Sequence, residues 1–353
     1  MAFDFERITD IGNRLTSWWH GERQDRPLFT CTIPDGAASP PDAANTAPNL
    51  IRWWTDAEFR TLQAMQAIDA TTYHFESVPY HYADFGSSAI ASLLGARMEF
   101  VDRETVWAYP VYESVEEAAE ASVDRSNRYY QYLRRVTELS TEKAYRHHFV
   151  TLFALGAPGD TLAAIYGTER LLMDMLERPK QVERAMERMK RVWIECYCEF
   201  NQVIAAAGNP GHVGWAGVWA PGTTFPMQED FSYMISPGMF RRFCLPHIAD
   251  MVEVLEYPMY HLDGIGAIAH LEALLDVEKL RVIQWVPGAG HERIDQWYGL
   301  IRRVLARGKS MQLFARAEEI PELVDAAGTR GLLITVINPT RESVGELIAT
   351  YVS

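Results

Sequence analysis

The 353-residue sequence predicts one α/β domain over residues 1–353, a single (β/α)8 TIM barrel with long βα loops in its N-terminal part. Three observations lead there. From residue 147 onward, short apolar runs alternate with amphipathic helical stretches, the pattern of repeated βα units. Two more apolar runs in the first 146 residues bring the strand count to eight, and eight strands each followed by a helix close most economically as a barrel. The competing architecture, an open doubly wound sheet, normally carries a Gly-rich phosphate turn after its first strand. Here that place holds Ile33-Pro34-Asp35-Gly36-Ala37-Ala38, which is not such a turn.

In chain order the expected strands are residues 27–33, 71–78, 147–154, 212–219, 259–262, 281–286, 310–314 and 332–336. Helical stretches are expected at 115–139, 237–255, 265–275, 293–306, 320–327 and 341–351. Ser236-Pro237 places a capping Ser before a Pro at the first helical position, and Pro339-Thr340 precedes the last helix similarly. Two long excursions follow the early strands, residues 35–50 and 81–114. Long βα loops lie on the catalytic face of a barrel, so both are expected to roof a pocket. Neither fixed-period repeats nor a linker divides the chain, hence one domain.

A net charge of −14 repels phosphate backbones, which speaks against nucleic acid and anionic membranes as partners. No run of eighteen apolar residues is present, and Met1–Arg7 lacks the apolar core of a signal peptide, so no membrane span and a cytoplasmic location are expected. The four cysteines, Cys31, Cys196, Cys198 and Cys244, are too few and too irregular for a disulfide framework and read as reduced thiols. Ten Trp, sixteen Tyr and fifteen Phe exceed what a core needs. They are left to line a pocket or to bury a subunit interface, as in a homodimer.

Reacting groups in barrels project from the C-terminal ends of strands. Those ends present Thr32 and Asp35, then Glu76 and His81, Trp215 and Trp219, His261 and Asp263, Gln284 and Trp285, Arg316, and Asn338. From these, with Tyr260 beside His261 and Asp230 in the loop before residue 237, the expected substrate-binding set is Glu76, His81, Trp215, Trp219, Asp230, Tyr260, Trp285, Arg316 and Asn338. His261-Leu262-Asp263 is the sharpest feature. Residues two apart in a strand share a face, so the imidazole and carboxylate converge. They can bind a metal such as zinc, or Asp263 can orient His261 as a general acid or base, or the two can simply fasten the rim. Spacing alone leaves all three open. His147-His148, His212, Cys244 and His247 read as structural.

Three stretches resemble the uroporphyrinogen decarboxylase superfamily. They are Leu155-Gly156-Ala157-Pro158-Gly159-Asp160 with Gly167 and Glu177-Arg178-Pro179; Asp230 through Ser236-Pro237 with Phe240, Phe243 and Pro246; and Tyr260-His261-Leu262-Asp263-Gly264 with Ile283-Gln284-Trp285-Val286-Pro287-Gly288. The resemblance runs from about residue 147 to the end and implies a (β/α)8 barrel. It is nearer the methyltransferase-like branch than the true decarboxylases, whose arginine-rich loop has no counterpart in Pro34–Asp42. That branch implies zinc bound by a His-x-Cys pair and a distant cysteine, and a corrinoid carried by a separate protein. Here Asp263 stands at the first cysteine position and no cysteine follows Cys244. A His/Asp set is harder than a thiolate set and suits water, alkoxide or carboxylate chemistry better than thiol activation.

The leading expectation is a methyltransferase-like enzyme that moves a methyl group from a small O- or N-methylated compound to a corrinoid or folate acceptor, with His261 and Asp263 as the catalytic pair. The alternatives are a decarboxylase or lyase of a small carboxylic acid using His261 as acid or base, and a non-catalytic barrel that stacks a heterocycle on Trp215, Trp219 and Trp285.

Overall fold

The computed structural model describes residues 3–22, 24–35, 47–87 and 89–352. Most of the loop after the first strand therefore lies outside the described residues, as does Ser88 in the second excursion. Among the described residues thirteen strands are formed: β1 Leu28–Pro34, β2 Thr71–Phe75, β3 Tyr80–Tyr82, β4 Arg97–Phe100, β5 Val106–Tyr109, β6 Phe149–Thr151, β7 His212–Val213, β8 Trp219–Ala220, β9 Thr224–Met227, β10 Tyr257–Asp263, β11 Val282–Val286, β12 Ser310–Ala315 and β13 Leu332–Val336. Seven build the central sheet in the order β2-β1-β13-β12-β11-β10-β9. All its pairings are parallel except β1 with β2. β3 and β6 form a separate parallel ladder. Among the described residues no ladder joins β6 to β9, so hydrogen bonds do not close this sheet into a cylinder.

The expected strands at 259–262, 281–286, 310–314 and 332–336 all appear within a few residues, because each is a short apolar run ended by Gly, Pro or a capped helix. Two others differ. The 71–78 run is broken at Phe75, whose φ of 53° turns the chain. Its first half pairs antiparallel with β1, and the rest runs into β3. The 212–219 run is a small antiparallel hairpin, β7–β8, folded by a Gly214–Gly217 turn in which Gly217 has φ 74°. The parallel strand of that region is β9. Its Pro226 is tolerated because β9 is an edge of the hydrogen-bonded sheet. The expected helix at 237–255 is likewise two helices, Pro237–Phe243 and Leu245–Val254, separated at Cys244.

Alternation along the strands sorts the apolar residues into two cores. Phe29, Cys31, Tyr260, Ile283, Trp285, Leu313 and Ile334 pack outward against the helices. Leu28, Met259, Val282 and Leu333 point to the inner face, where they meet Val78, Phe149 and Val213. The helix Ile8–Trp19 covers the N-terminal ends of the strands on that inner side. Its Trp18 indole donates to Gly331 O at 3.0 Å, and Trp19 donates to Trp219 O at 2.9 Å. One end of the inner face is thus plugged with indole and aliphatic carbon. The other end, at the strand C-termini, is polar. Among the described residues no helix is long and apolar enough to cross a membrane.

Candidate active site

Directly above the inner apolar layer lies a row of polar side chains. His261 and Gln284 are register partners across β10 and β11, and Gln284 pairs with Gln312 across β11 and β12. His261 Nδ1 lies 2.5 Å from Gln284 Oε1, and Gln284 Nε2 donates to Gln312 Oε1 at 2.8 Å. Gln312 Nε2 donates to Ala216 O and to Thr335 Oγ1, each at 3.1 Å. Thr335 Oγ1 lies 2.8 Å from Thr30 Oγ1, which ends the row on β1. Both glutamines are almost completely buried, so these bonds replace water that the amides have given up.

His261 leans outward from this row towards the strand C-termini. Its Nε2 is 3.9 Å from Asp263 Oδ2, and the Asp263 carboxylate is half exposed. Trp215, on the turn between β7 and β8, stands edge-on to the imidazole with ring centroids 5.1 Å apart. Its indole is tied to Pro226 O at 2.8 Å. Asp230 belongs to the same neighbourhood. The protein crowded around its carboxyl raises its pKa, while His261 and Asp263 act on it with opposite signs. Asp230 also lines a groove of about 450 Å³ with Ser87, Trp107, Asp160, Phe231 and Met234. Ser87 and Trp107, the latter on the β4–β5 hairpin, bring the excursion at 81–114 to this groove.

Two further carboxyls stabilise this wall. Glu229 accepts from Gly159 N at 3.3 Å and Asp160 N at 3.0 Å, the opening turn of the helix Pro158–Tyr166. Asp160 returns the arrangement by accepting from Phe231 N at 2.7 Å and Asp230 N at 3.2 Å, at the start of the 3-10 turn Asp230–Met234. Each acid caps the other's helical turn. Burial pushes both carboxyls up, Asp160 to about 8, and the charge of Asp160 adds to the effect on Glu229.

Of the residues expected from sequence, the fold brings His261, Asp263, Asp230 and Trp215 together. Arg316 and Asn338 lie exposed at the C-terminal ends of β12 and β13, on the same side of the sheet; Asn338 has φ 49°. The other five lie elsewhere. Tyr260 and Trp285 are buried on the outer face, because in the β10–β11 register it is Gln284, not Trp285, that shares the side of His261. Trp219 packs beneath the inner core against Gly12 of the first helix. Glu76 is buried and committed to Arg26, whose Nη2 is 2.5 Å from Oε1, and to Phe29 N at 2.9 Å. His81 faces the helix Arg128–Ala144, with Nδ1 2.8 Å from Ser140 Oγ. Sequence reasoning passed over Gln312 and Glu229 and did not rank Gln284 as a site residue. A polar residue inside an apolar strand run was the available signal for both glutamines.

His261 and Asp263 offer two donors to a metal. Among the described residues no group of three or more His, Cys, Asp or Glu side chains is placed to hold one. Cys31 lies in the outer core, Cys196 and Cys198 lie on the helix Pro179–Ala205, and Cys244 is buried beside Glu229. A catalytic zinc uses three protein ligands, so His261 and Asp263 by themselves do not complete such a site.

The fold and site define an α/β protein with a mostly parallel sheet and a His–carboxylate pair at the C-terminal end of β10. No protein-family model matches the chain, and no curated protein matches it in sequence. Among solved structures the chain is similar in fold to a methyltransferase from Methanosarcina mazei, with a TM-score of 0.62 over 96% of this chain and 97% of that one, at 12% sequence identity.

Proposed function

We propose that the chain is a methyltransferase-like enzyme on a uroporphyrinogen decarboxylase-type (β/α)8 barrel. It takes a methyl group from a small O- or N-methylated compound and passes it to a corrinoid on a separate protein or to a folate. The observation that carries this reading is the His261–Asp263 pair, 3.9 Å apart at the C-terminal end of β10 and bordered by Trp215. When a methyl group leaves oxygen or nitrogen as the acceptor's electron pair bonds to it, the leaving atom keeps the C–O or C–N pair and needs a proton. A proton on His261 Nε2 supplies it, and Asp263 stabilises the imidazolium that carries that proton. The shared fold with a methyltransferase and the inner and outer cores that wrap the sheet support the same reading.

The test is transfer of a labelled methyl group from a panel of methoxylated and N-methylated compounds, followed by mass spectrometry with and without a corrinoid protein or tetrahydrofolate. Label should appear on the acceptor only when it is present, and His261→Ala should lower the rate by about 10²-fold or more. Turnover without any acceptor overturns the reading. The second reading, decarboxylation or lyase chemistry with His261 as acid or base, is favoured by the incomplete metal-donor set. It predicts CO2 release or elimination from a small acid, unaffected by chelators.

A further inference from the structure

We infer that Gln284, itself oriented by Gln312, is a positioning residue that holds His261 as the Nδ1–H tautomer and confines the exchangeable proton of the site to Nε2. The carbonyl oxygen of Ala216 can only accept. Gln312 Nε2 lies 3.1 Å from it, and the opposite amide orientation would set two oxygens against each other. Gln312 Oε1 therefore faces Gln284, and only the Gln284 amide nitrogen can donate to it, at 2.8 Å. That leaves Gln284 Oε1 facing His261 Nδ1 at 2.5 Å, and an amide oxygen accepts only. Nδ1 must carry the hydrogen.

Beyond Gln312 the direction continues. Gln312 Nε2 donates to Thr335 Oγ1, so the Thr335 hydroxyl hydrogen is free for Thr30 Oγ1 at 2.8 Å. From His261 Nδ1 to Gln312 Nε2 every donor points away from the imidazole, the arrangement in which successive hydrogen bonds reinforce one another. Because the anchor is a backbone carbonyl, the row does not reverse by rotating side chains alone. In the neutral imidazole, Nε2 keeps its lone pair towards Asp263, and in the imidazolium the added proton sits there. His261 can then give or take a proton at one nitrogen only, the one facing the strand C-termini. The use of that proton rests on the methyl-transfer reading; the tautomer does not.

Long-range 1H–15N correlation of the imidazoles in 15N-histidine-labelled protein tests this, with the His261 signals assigned by their loss in His261→Asn. In the wild type, neutral His261 should show a protonated Nδ1 and a bare Nε2. Gln284→Leu should move the proton to Nε2. Gln312→Leu, which frees the Gln284 amide to rotate, should give a mixture of tautomers. Gln284→Glu, whose oxygens still accept, should keep Nδ1 protonated. A wild type protonated at Nε2, or a Gln284→Leu spectrum that keeps Nδ1–H, overturns the inference. Failure of the methyl-transfer assay would leave these spectra unchanged, so the two claims fall separately.

Discussion

Gly159 shows how tightly the wall beside the site is specified. A Cβ built there would come 2.3 Å from Glu229 Oε1. Glu229 cannot retreat without giving up the two backbone N–H groups it caps. Gly159→Ala should therefore cost about 1–3 kcal/mol, read as a lower denaturant midpoint at unchanged slope. Glu76 makes the complementary case. Its side chain is 2% exposed and its partner Arg26 is 8% exposed, and the two carboxyl oxygens meet both guanidinium nitrogens and Phe29 N. Breaking such a pair from one side leaves a buried charge uncompensated. Glu76→Gln should thus destabilise by about 3–5 kcal/mol in chemical denaturation. Turnover per folded molecule should be retained, whereas a substrate-binding Glu76 would lose it.

At the scale of elements, an imidazole chain ties two helices to the β3–β6 ladder. His81 on β3 meets Ser140 of the helix Arg128–Ala144, and Ser140 Oγ lies 3.0 Å from His148 Nε2. His148 Nδ1 is 2.9 Å from His147 Nδ1, and His147 Nε2 is 2.9 Å from Asp69, the last residue of the helix Ala57–Asp69. Burial pulls the pKa of His81 and of His148 down to about 3, with the nearby Arg60 and His147 charges adding to it. Both pKa values are depressed relative to the unfolded chain, where histidine titrates near 6.5. Between those values the unfolded state binds more protons, so stability is full above about pH 6.5 and is lost as pH falls towards 3. The slope is about 1.4 kcal/mol per pH unit for each neutral buried histidine. Thermal melts from pH 7 to 4 should show a steep fall in Tm. His148→Gln should flatten it, and an unchanged slope in that variant would count against the buried, neutral state.

Across the whole molecule, the first helix closes one end of the inner face, and the polar row with His261 lies towards the other. Trp18 and Trp19 are essentially buried, and Ser310 Oγ donates to Trp18 O at 2.6 Å, so the helix is joined to the strand starts by hydrogen bonds as well as packing. Trp19→Ala should cost about 3–5 kcal/mol. Because His261 lies on the opposite side of the inner apolar layer, the loss should appear in the melting temperature and not in the properties of the folded site. Altered His261 imidazole shifts in a folded Trp19→Ala protein would show the two ends to be coupled.

Local chemistry in the sequence determined where many elements begin and end. Residues 320–327, 332–336 and 341–351 fold as their periodicity, Gly boundaries and caps predict, since these signals act within a few residues. Alternation alone also put His261 and Asp263 on one face of a strand. Tertiary structure decided what that face meets. Gln284 rather than Trp285 stands beside His261 because of the β10–β11 register, and register is a property of two chain segments together. Glu76 pairs with an arginine fifty residues earlier, His81 turns towards Ser140 on a later helix, and Trp219 is claimed by the first helix. Such contacts depend on which distant segments are brought together when the chain buries its apolar surface. No local pattern encodes them, so the sequence could locate the His261–Asp263 pair but not the amide row beside it.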